Sequence, residues 1–184
     1  MNIFIPEHSK FAYCVDFFFY GLIVAVLAGM LVWLAPAEQG LVLSAYSLLG
    51  LLGWTVIEYG LHRFVLHALH PFRRWHAEHH RRPAALIRTP MILSATLIFL
   101  LVFLPALFFS QLWRAWALSV GLLTGYFVYT VVHHAIHHWR FNNAWLKRRQ
   151  YWHGLHHDSE QPGRYGVTSA LWDYVFASTA KQGK

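Results

Sequence analysis

Cysteine is nearly absent from this sequence: Cys14 stands alone among 184 residues. One thiol excludes a disulfide framework, a Cys-based zinc site and a protein-borne iron–sulfur cluster. Charge is scarce too. Asp, Glu, Lys and Arg together make up 12% of the chain, half of the roughly 25% usual in a soluble domain. Hydrophobic residues make up 57%, so lipid rather than water is the expected solvent. Acidic residues are the scarcer charged kind, 8 against 15 Lys and Arg, for a net charge of +7. That balance suits nucleic acid, anionic lipid or an acidic protein partner, and only the placement of the charges can decide between them. No Gly-rich nucleotide loop is present.

What is abundant is apolar sequence in long runs. Four stretches reach the roughly 20 residues needed to cross a bilayer: 16–35, 41–61, 91–109 and 115–134. Pro36 and Gly40 punctuate the first hairpin, and "SQLWR" the second. "LAPA" after the first run resembles a signal cleavage site. The run before it is too long for a signal core, and its flank mixes Glu7 and Asp16 with Lys10, so the expectation is an uncleaved span. The short loops 36–40 and 110–114 carry a single basic residue, Arg114, leaving 15 − 1 = 14 Lys and Arg for the N-terminal segment, the 62–90 connection and the segment after 134. With four spans those three segments share one side, which the positive-inside rule makes cytoplasmic. Trp33, Trp113 and Trp116 then mark the opposite interface. Since the basic residues follow topology and no recognition fold is visible, nucleic acid is not the expected partner.

The second abundance is histidine, 14 residues, all on the same expected side. "HAEHH" at 76–80 and "HGLHH" at 153–157 repeat one pattern. On a helix, positions i, i+3 and i+4 share a face, so each box aims three imidazoles at one locus. His133 and His137 repeat the i, i+4 spacing. His62 and His67 are five apart, about 140° around a regular helix, and need either a local bulge or separate metals. His62, His67, His76, His79, His80, His133, His137, His153, His156 and His157 exceed what one tetrahedral zinc uses. They suit two metals with about five ligands each and open positions for a small molecule. His8, His70, His134 and His138 are read as interfacial polar residues. Low-complexity metal-scavenging tracts lack such helical spacing.

These segments resemble a known family. "EYGLHRFVLH", "HAEHH", "GYFVYTVVHHAIHH", "HGLHH" and "RYGVTSALWDYVF" are similar, in order, to the fatty acid hydroxylase/sterol desaturase superfamily, closest to fatty acid 2-hydroxylase-like members. The likeness runs from about 50 to 177. The resemblance implies a non-haem di-iron centre held by those ten histidines, acting on membrane lipid with O2 and an external electron donor. Two departures stand out. The lipid 2-hydroxylases often carry a cytochrome b5 domain, for which this chain has no room. Their "HHKxPxDxxR" reads "HHRRPAALIR" here, without the Asp. Carotenoid and sterol hydroxylases or desaturases with the same chemistry are the second reading.

The chemistry expected is hydroxylation or desaturation of a lipid acyl chain at an unactivated C–H bond, which needs an O2-activating metal rather than a side chain. Imidazole suits iron, zinc and copper, and zinc binds more tightly than Fe2+, so zinc is expected to replace iron in purified or crystallised samples. Glu58, Glu78, Asp158 and Asp173 are the carboxylates placed to orient ligand imidazoles. Glu58 lies within a span, where a carboxylate is costly and usually paired or functional. The 165–176 segment reads as a lid over a lipid groove, an interfacial element or a packing helix. Arg73, Arg74, Arg81, Arg82, Lys147, Arg148 and Arg149 ring the histidine face. They could steer an acidic ferredoxin or cytochrome b5-like donor, contact anionic headgroups, or simply set topology. A metal transporter would place ionisable ligands at mid-span, and the first and third spans have no His. A non-catalytic metal-binding scaffold is the remaining alternative.

The expectation is therefore an all-α integral membrane protein. Four transmembrane helices form two hairpins under a cytoplasmic helical cap that carries the histidine boxes, all within a single domain, 1–184. The small size and the "KQGK" tail, which lacks a dilysine pattern, favour a bacterial inner membrane, with the endoplasmic reticulum as the eukaryotic equivalent.

Overall fold

The computed structural model describes residues 7–158 and 163–179. The "KQGK" tail lies outside the described residues. Among these, the structure is helical, with one isolated bridge between Glu7 and Ile87. Helix α1 spans Lys10–Leu34, α2 Gly40–Gly60, α3 Phe72–Arg81, α4 Met91–Ile98, α5 Leu104–Phe109, α6 Leu112–His138, α7 Ala144–His157 and α8 Leu171–Val175. Four helical segments are long and apolar enough to cross a membrane: Lys10–Leu34, Ala37–Leu66, Met91–Phe109 and Leu112–His138. They correspond to the four expected runs, and the chain is a multi-pass membrane protein. Helix α1 begins six residues before the apolar run because Ser9 caps it, its hydroxyl accepting from Ala12 N–H at 3.2 Å.

Two π segments interrupt the spans. Leu61–Leu66 continues α2, and Phe99–Phe103 joins α4 to α5. The second has a local cause. Pro105 has no N–H for the carbonyl four residues back, and its ring would clash with that carbonyl, so the helix widens ahead of it.

The chain separates into two compact units. One comprises Ser9–Trp54 and Thr89–Phe127. Within it, small residues let helices meet at backbone distance. A Cβ on Gly50 would strike the Leu118 carbonyl, and one on Gly121 the Ser47 carbonyl. Close approach of this kind replaces the hydrophobic effect as the packing force in lipid. Two polar side chains of this unit are satisfied within it: the Tyr20 hydroxyl meets Ser94 Oγ at 2.6 Å, and Trp116 Nε1 donates to the Leu27 carbonyl at 3.1 Å.

The other unit comprises Met1–His8, Thr55–Arg88 and Val128–Lys184. Its buried apolar centre is Val132, Ile136 and Val167, with Tyr129 against it. Asn143 caps α7 by accepting from Leu146 N–H at 3.1 Å. Gln150 then ties α7 to the end of α6, donating to the Ile136 carbonyl at 2.9 Å.

Candidate metal centre

All ten expected ligands fall in this second unit. His62, His67, His76, His80 and His156 form one group whose donor nitrogens lie within 4.8 Å of one another; His79, His133, His137 and His153 form a second with the same property. His157 stands beside the second group, its Nε2 3.0 Å from that of His153. The groups adjoin, since the rings of His80 and His157 stack at 4.1 Å. His8, His70, His134 and His138 belong to neither group.

The elements account for this sorting. In each box the i and i+3 residues divide between the groups, rather than all three aiming at one locus. From "HAEHH", His76 and His80 enter the first group and His79 the second; from "HGLHH", His156 enters the first and His153 the second. On a helix, i+3 and i+4 point about 100° apart, to either side of i. One box therefore reaches two loci at once. His62 and His67 need the widened turn that their five-residue spacing implies. The π segment Leu61–Leu66 supplies it. Hydrogen bonding from i to i+5 stacks residues five apart, and both imidazoles join the first group.

The donor geometry fits metal ions. In the first group, His62 Nε2 lies 3.0 Å from His76 Nε2, which lies 3.1 Å from His67 Nε2 and 3.0 Å from His80 Nε2. In the second, His133, His137 and His153 present Nε2 atoms 3.0–3.3 Å apart. Two nitrogens held about 2.1 Å from one ion at a right angle sit about 3.0 Å apart. Tautomers favour the same reading. His62 Nδ1 donates to the Tyr165 carbonyl at 2.5 Å, and His156 Nδ1 to the Gly163 carbonyl at 2.7 Å. Each Nε2 is then a bare lone pair facing other imidazoles, an arrangement a cation between them would stabilise. His79 is buried with neither ring nitrogen hydrogen-bonded, which costs roughly 1–3 kcal/mol per unmet group unless a metal takes one.

Burial keeps the imidazoles beyond the spans neutral, the state in which imidazole can bind a metal. Burial, followed by repulsion from neighbouring imidazoles, pushes His79 down to about 2 and His80 and His157 to about 3. Burial also drives His156 to about 3, against the Gly163 hydrogen bond that raises it, and takes His76 and His153 well below the ordinary value.

The segment at 163–170 does what the carboxylates were expected to do. Its backbone carbonyls, not side-chain carboxylates, orient His62 and His156. The carboxylates hold that segment in turn. Asp173, fully buried, accepts from Tyr165 N–H at 2.8 Å and Gly166 N–H at 2.9 Å. Glu58 accepts from Val167 N–H at 2.7 Å, Thr168 N–H at 2.8 Å and the Thr168 hydroxyl. Charge-assisted bonds of this kind carry about 1.5–3 kcal/mol each, which offsets the cost of a carboxylate inside a span. Glu78 pairs with Arg81 and Arg82, and Asp158 is exposed at the end of α7. Gly163 sits at φ 127°, a conformation open to glycine alone without strain. Backbone acceptors carry no side-chain signature, so the roles of Gly163 and Tyr165 were invisible in the sequence; the nearest signal was a glycine six residues after a box.

Two further expectations resolve here. Only Leu171–Val175 of the 165–176 segment is helical, and its Trp172 Nε1 bonds Thr55 Oγ1 at 3.0 Å, so it braces the second span. Of the basic ring, Arg149 is 5% exposed and lies over Trp152, and Arg81 and Arg82 are paired to Glu78. Arg73, Arg74, Lys147 and Arg148 remain exposed.

Comparisons with known proteins point to one family. A profile of the fatty acid hydroxylase family matches residues 47–178. A ceramide very long chain fatty acid hydroxylase of Schizosaccharomyces pombe is 33% identical over 157 residues, covering 76% of this chain and 44% of the relative. A dihydroceramide fatty acyl 2-hydroxylase of Arabidopsis thaliana is 32% identical, covering 77% and 65%. The fatty acid 2-hydroxylase of Rattus norvegicus is 30% identical, covering 70% and 37%. The chain thus spans from about a third to two thirds of the length of these relatives. The solved hydroxylase domain of full-length scs7p superposes with a TM-score of 0.78 at 24% identity, over 91% of this chain and 66% of that one.

Proposed function

The chain belongs to the fatty acid hydroxylase family, and from that premise we propose that it is a membrane oxygenase that hydroxylates a lipid acyl chain. The observation that carries this reading is the convergence of nine imidazoles on two adjoining loci, at the ends of membrane-spanning helices. Two irons held there would supply the O2 activation that no side chain can. His62, His67, His76, His80 and His156 are the ligands assigned to one, and His79, His133, His137, His153 and His157 to the other.

The chain's own contribution is position and polarity. The 163–170 segment fixes two ring orientations through its carbonyls, so that Nε2 rather than Nδ1 faces inward. Burial keeps His76, His79, His80, His153, His156 and His157, the donors beyond the spans, deprotonated at neutral pH. The π segment brings His67 over His62. The substrate is an acyl chain bearing a polar head, which the hydroxylases of ceramide and fatty acid among the relatives support. Because the ligands end the second and fourth spans, a chain could approach without leaving apolar surroundings. Electrons come from an external ferredoxin or cytochrome b5-like donor, for which Arg73, Arg74, Lys147 and Arg148 offer a basic approach. By the positive-inside rule the histidine face is cytoplasmic.

The test is lipid mass spectrometry of cells producing the wild-type chain, His156→Ala or His79→Ala. A new hydroxylated acyl lipid is expected with wild type alone, while each variant still reaches the membrane. Full turnover by either variant would refute a ligand role, and a hydroxyl found only on a ring lipid would move the substrate to the carotenoid or sterol class.

A further inference from the structure

Beside the first histidine group lies a pair of hydrogen-bond donors that the metal centre does not use. Arg63 follows His62 on the π segment. Its Nη1 donates to the Tyr59 hydroxyl at 2.5 Å. Its guanidinium carbon lies 5.1 Å from the ring centre of Phe64, 5.7 Å from that of Tyr165 and 5.8 Å from that of Tyr59. No carboxylate pairs with it among the described residues. A guanidinium offers five N–H donors, so most of this one's capacity is unspent while three rings fix its position. The Tyr165 ring lies 5.4 Å from those of His67 and His156, and its hydroxyl has no hydrogen-bond partner among the described residues. The rim is apolar and open. Leu61, Phe64 and Phe176 are all exposed, with Phe176 stacked on Tyr59 at 5.4 Å.

We propose that Arg63 and Tyr165 clamp the carbonyl oxygen at the head of the acyl substrate and so decide which carbon comes to rest at the metal centre; this rests on the lipid-hydroxylase reading. A buried cation without a counter-ion is costly, and one caged at half-exposure beside the ligands is poised to take an acceptor oxygen. Arg binds such groups with directional, planar geometry that Lys lacks. The carbonyl is that of a free acid or of an N-acyl amide, the chemistry being shared. Holding the head one ring's width from His67 and His156 leaves only the first carbons of the chain near the nitrogens. The remainder runs along the apolar rim.

The experiment uses the purified, metal-loaded protein in detergent. Binding of hexadecanoic acid, hexadecanamide, hexadecyl phosphate and hexadecane is read by quenching of tryptophan fluorescence, for wild type, Arg63→Gln, Arg63→Lys and Tyr165→Phe. The clamp predicts that Arg63→Gln weakens the acid and the amide about tenfold or more, Tyr165→Phe by less, and hexadecane not at all, with Arg63→Lys recovering part. In turnover, Arg63→Gln raises KM with little change in kcat and spreads the hydroxyl over several carbons. Unchanged affinity for both acid and amide overturns the clamp, as does tighter binding of hexadecyl phosphate than of either, which would make this a phosphate headgroup site. Should Arg63→Gln fail to retain metal, Arg63→Lys and Tyr165→Phe carry the comparison. Loss of binding in the variants when wild type makes no product sinks the hydroxylase reading alone; product with unchanged binding sinks the clamp alone.

Discussion

Gly163 and Asp173 show how single residues here act through the backbone. Gly163 occupies a left-handed φ so that its carbonyl can meet His156 Nδ1, and Asp173 holds the adjoining N–H groups. Outer-shell partners of metal-bound histidine are worth about 10–100-fold in affinity. Asp173→Ala is therefore expected to lower metal affinity by that order in a chelator competition, and Gly163→Ala to act in the same direction through strain. Unchanged affinity in both would show that ring orientation is set elsewhere. The imidazoles also make stability depend on pH, with a definite sign. His79, His80, His156 and His157 are lowered to about 2–3 when folded, against about 6.5 when unfolded. Below pH 6.5 the unfolded chain takes up protons that the folded chain refuses, so stability is complete above that value and falls as pH drops toward 3. Melting temperature is expected to decline from pH 7 to pH 4, with metal lost as the protein unfolds. Metal loss by pH 5 at an unchanged melting temperature would contradict this.

At the scale of the element, the π segment is the device that lets one stretch carry two imidazoles of the first group. Regular α geometry would leave His62 and His67 about 140° apart. Insertion of one alanine after Val65 would swing His67 a further 100° or so. Metal content by elemental analysis is expected to drop from two per chain toward one, since His79, His133, His137 and His153 lie on other elements. Two metals retained in the insertion variant would exclude His67 as a ligand. The boxes on α3 and α7 work differently, splitting their i+3 and i+4 positions about the helix axis. Their spacing was legible in the sequence, but their division between two loci was not, because it depends on what faces each side.

At the scale of the molecule, the expected topology, which puts 14 of 15 basic residues on one side of four spans, is one that labelling can test. In a Cys14→Ser background, Glu38→Cys and Ser110→Cys are expected to react with an impermeant thiol reagent from outside intact cells, and Asn142→Cys only after the membrane is opened. The reverse pattern would put the histidines outside. Helix contact at Gly50 and Gly121 is backbone to backbone. Gly121→Leu is thus expected to cost several kcal/mol by overpacking, seen as lost expression or a large fall in melting temperature; a near-neutral result would mean that the helices can separate without penalty.

By itself the sequence determined the solvent, the number of spans and the histidines that make up the candidate site. Each follows from local quantities: apolar run length, charge asymmetry, and histidines at helical spacing. His62 and His67 marked where regular geometry must fail, though not how. Only the tertiary structure decided which imidazoles share a locus and what aims them. Glu58 and Asp173 were recognisable as carboxylates with work to do, but their partners include backbone N–H groups, for Glu58 as many as 110 residues away. The chain order of side chains does not encode such pairings; they arise when the 163–170 segment folds back against the second span and offers its carbonyls to His62 and His156.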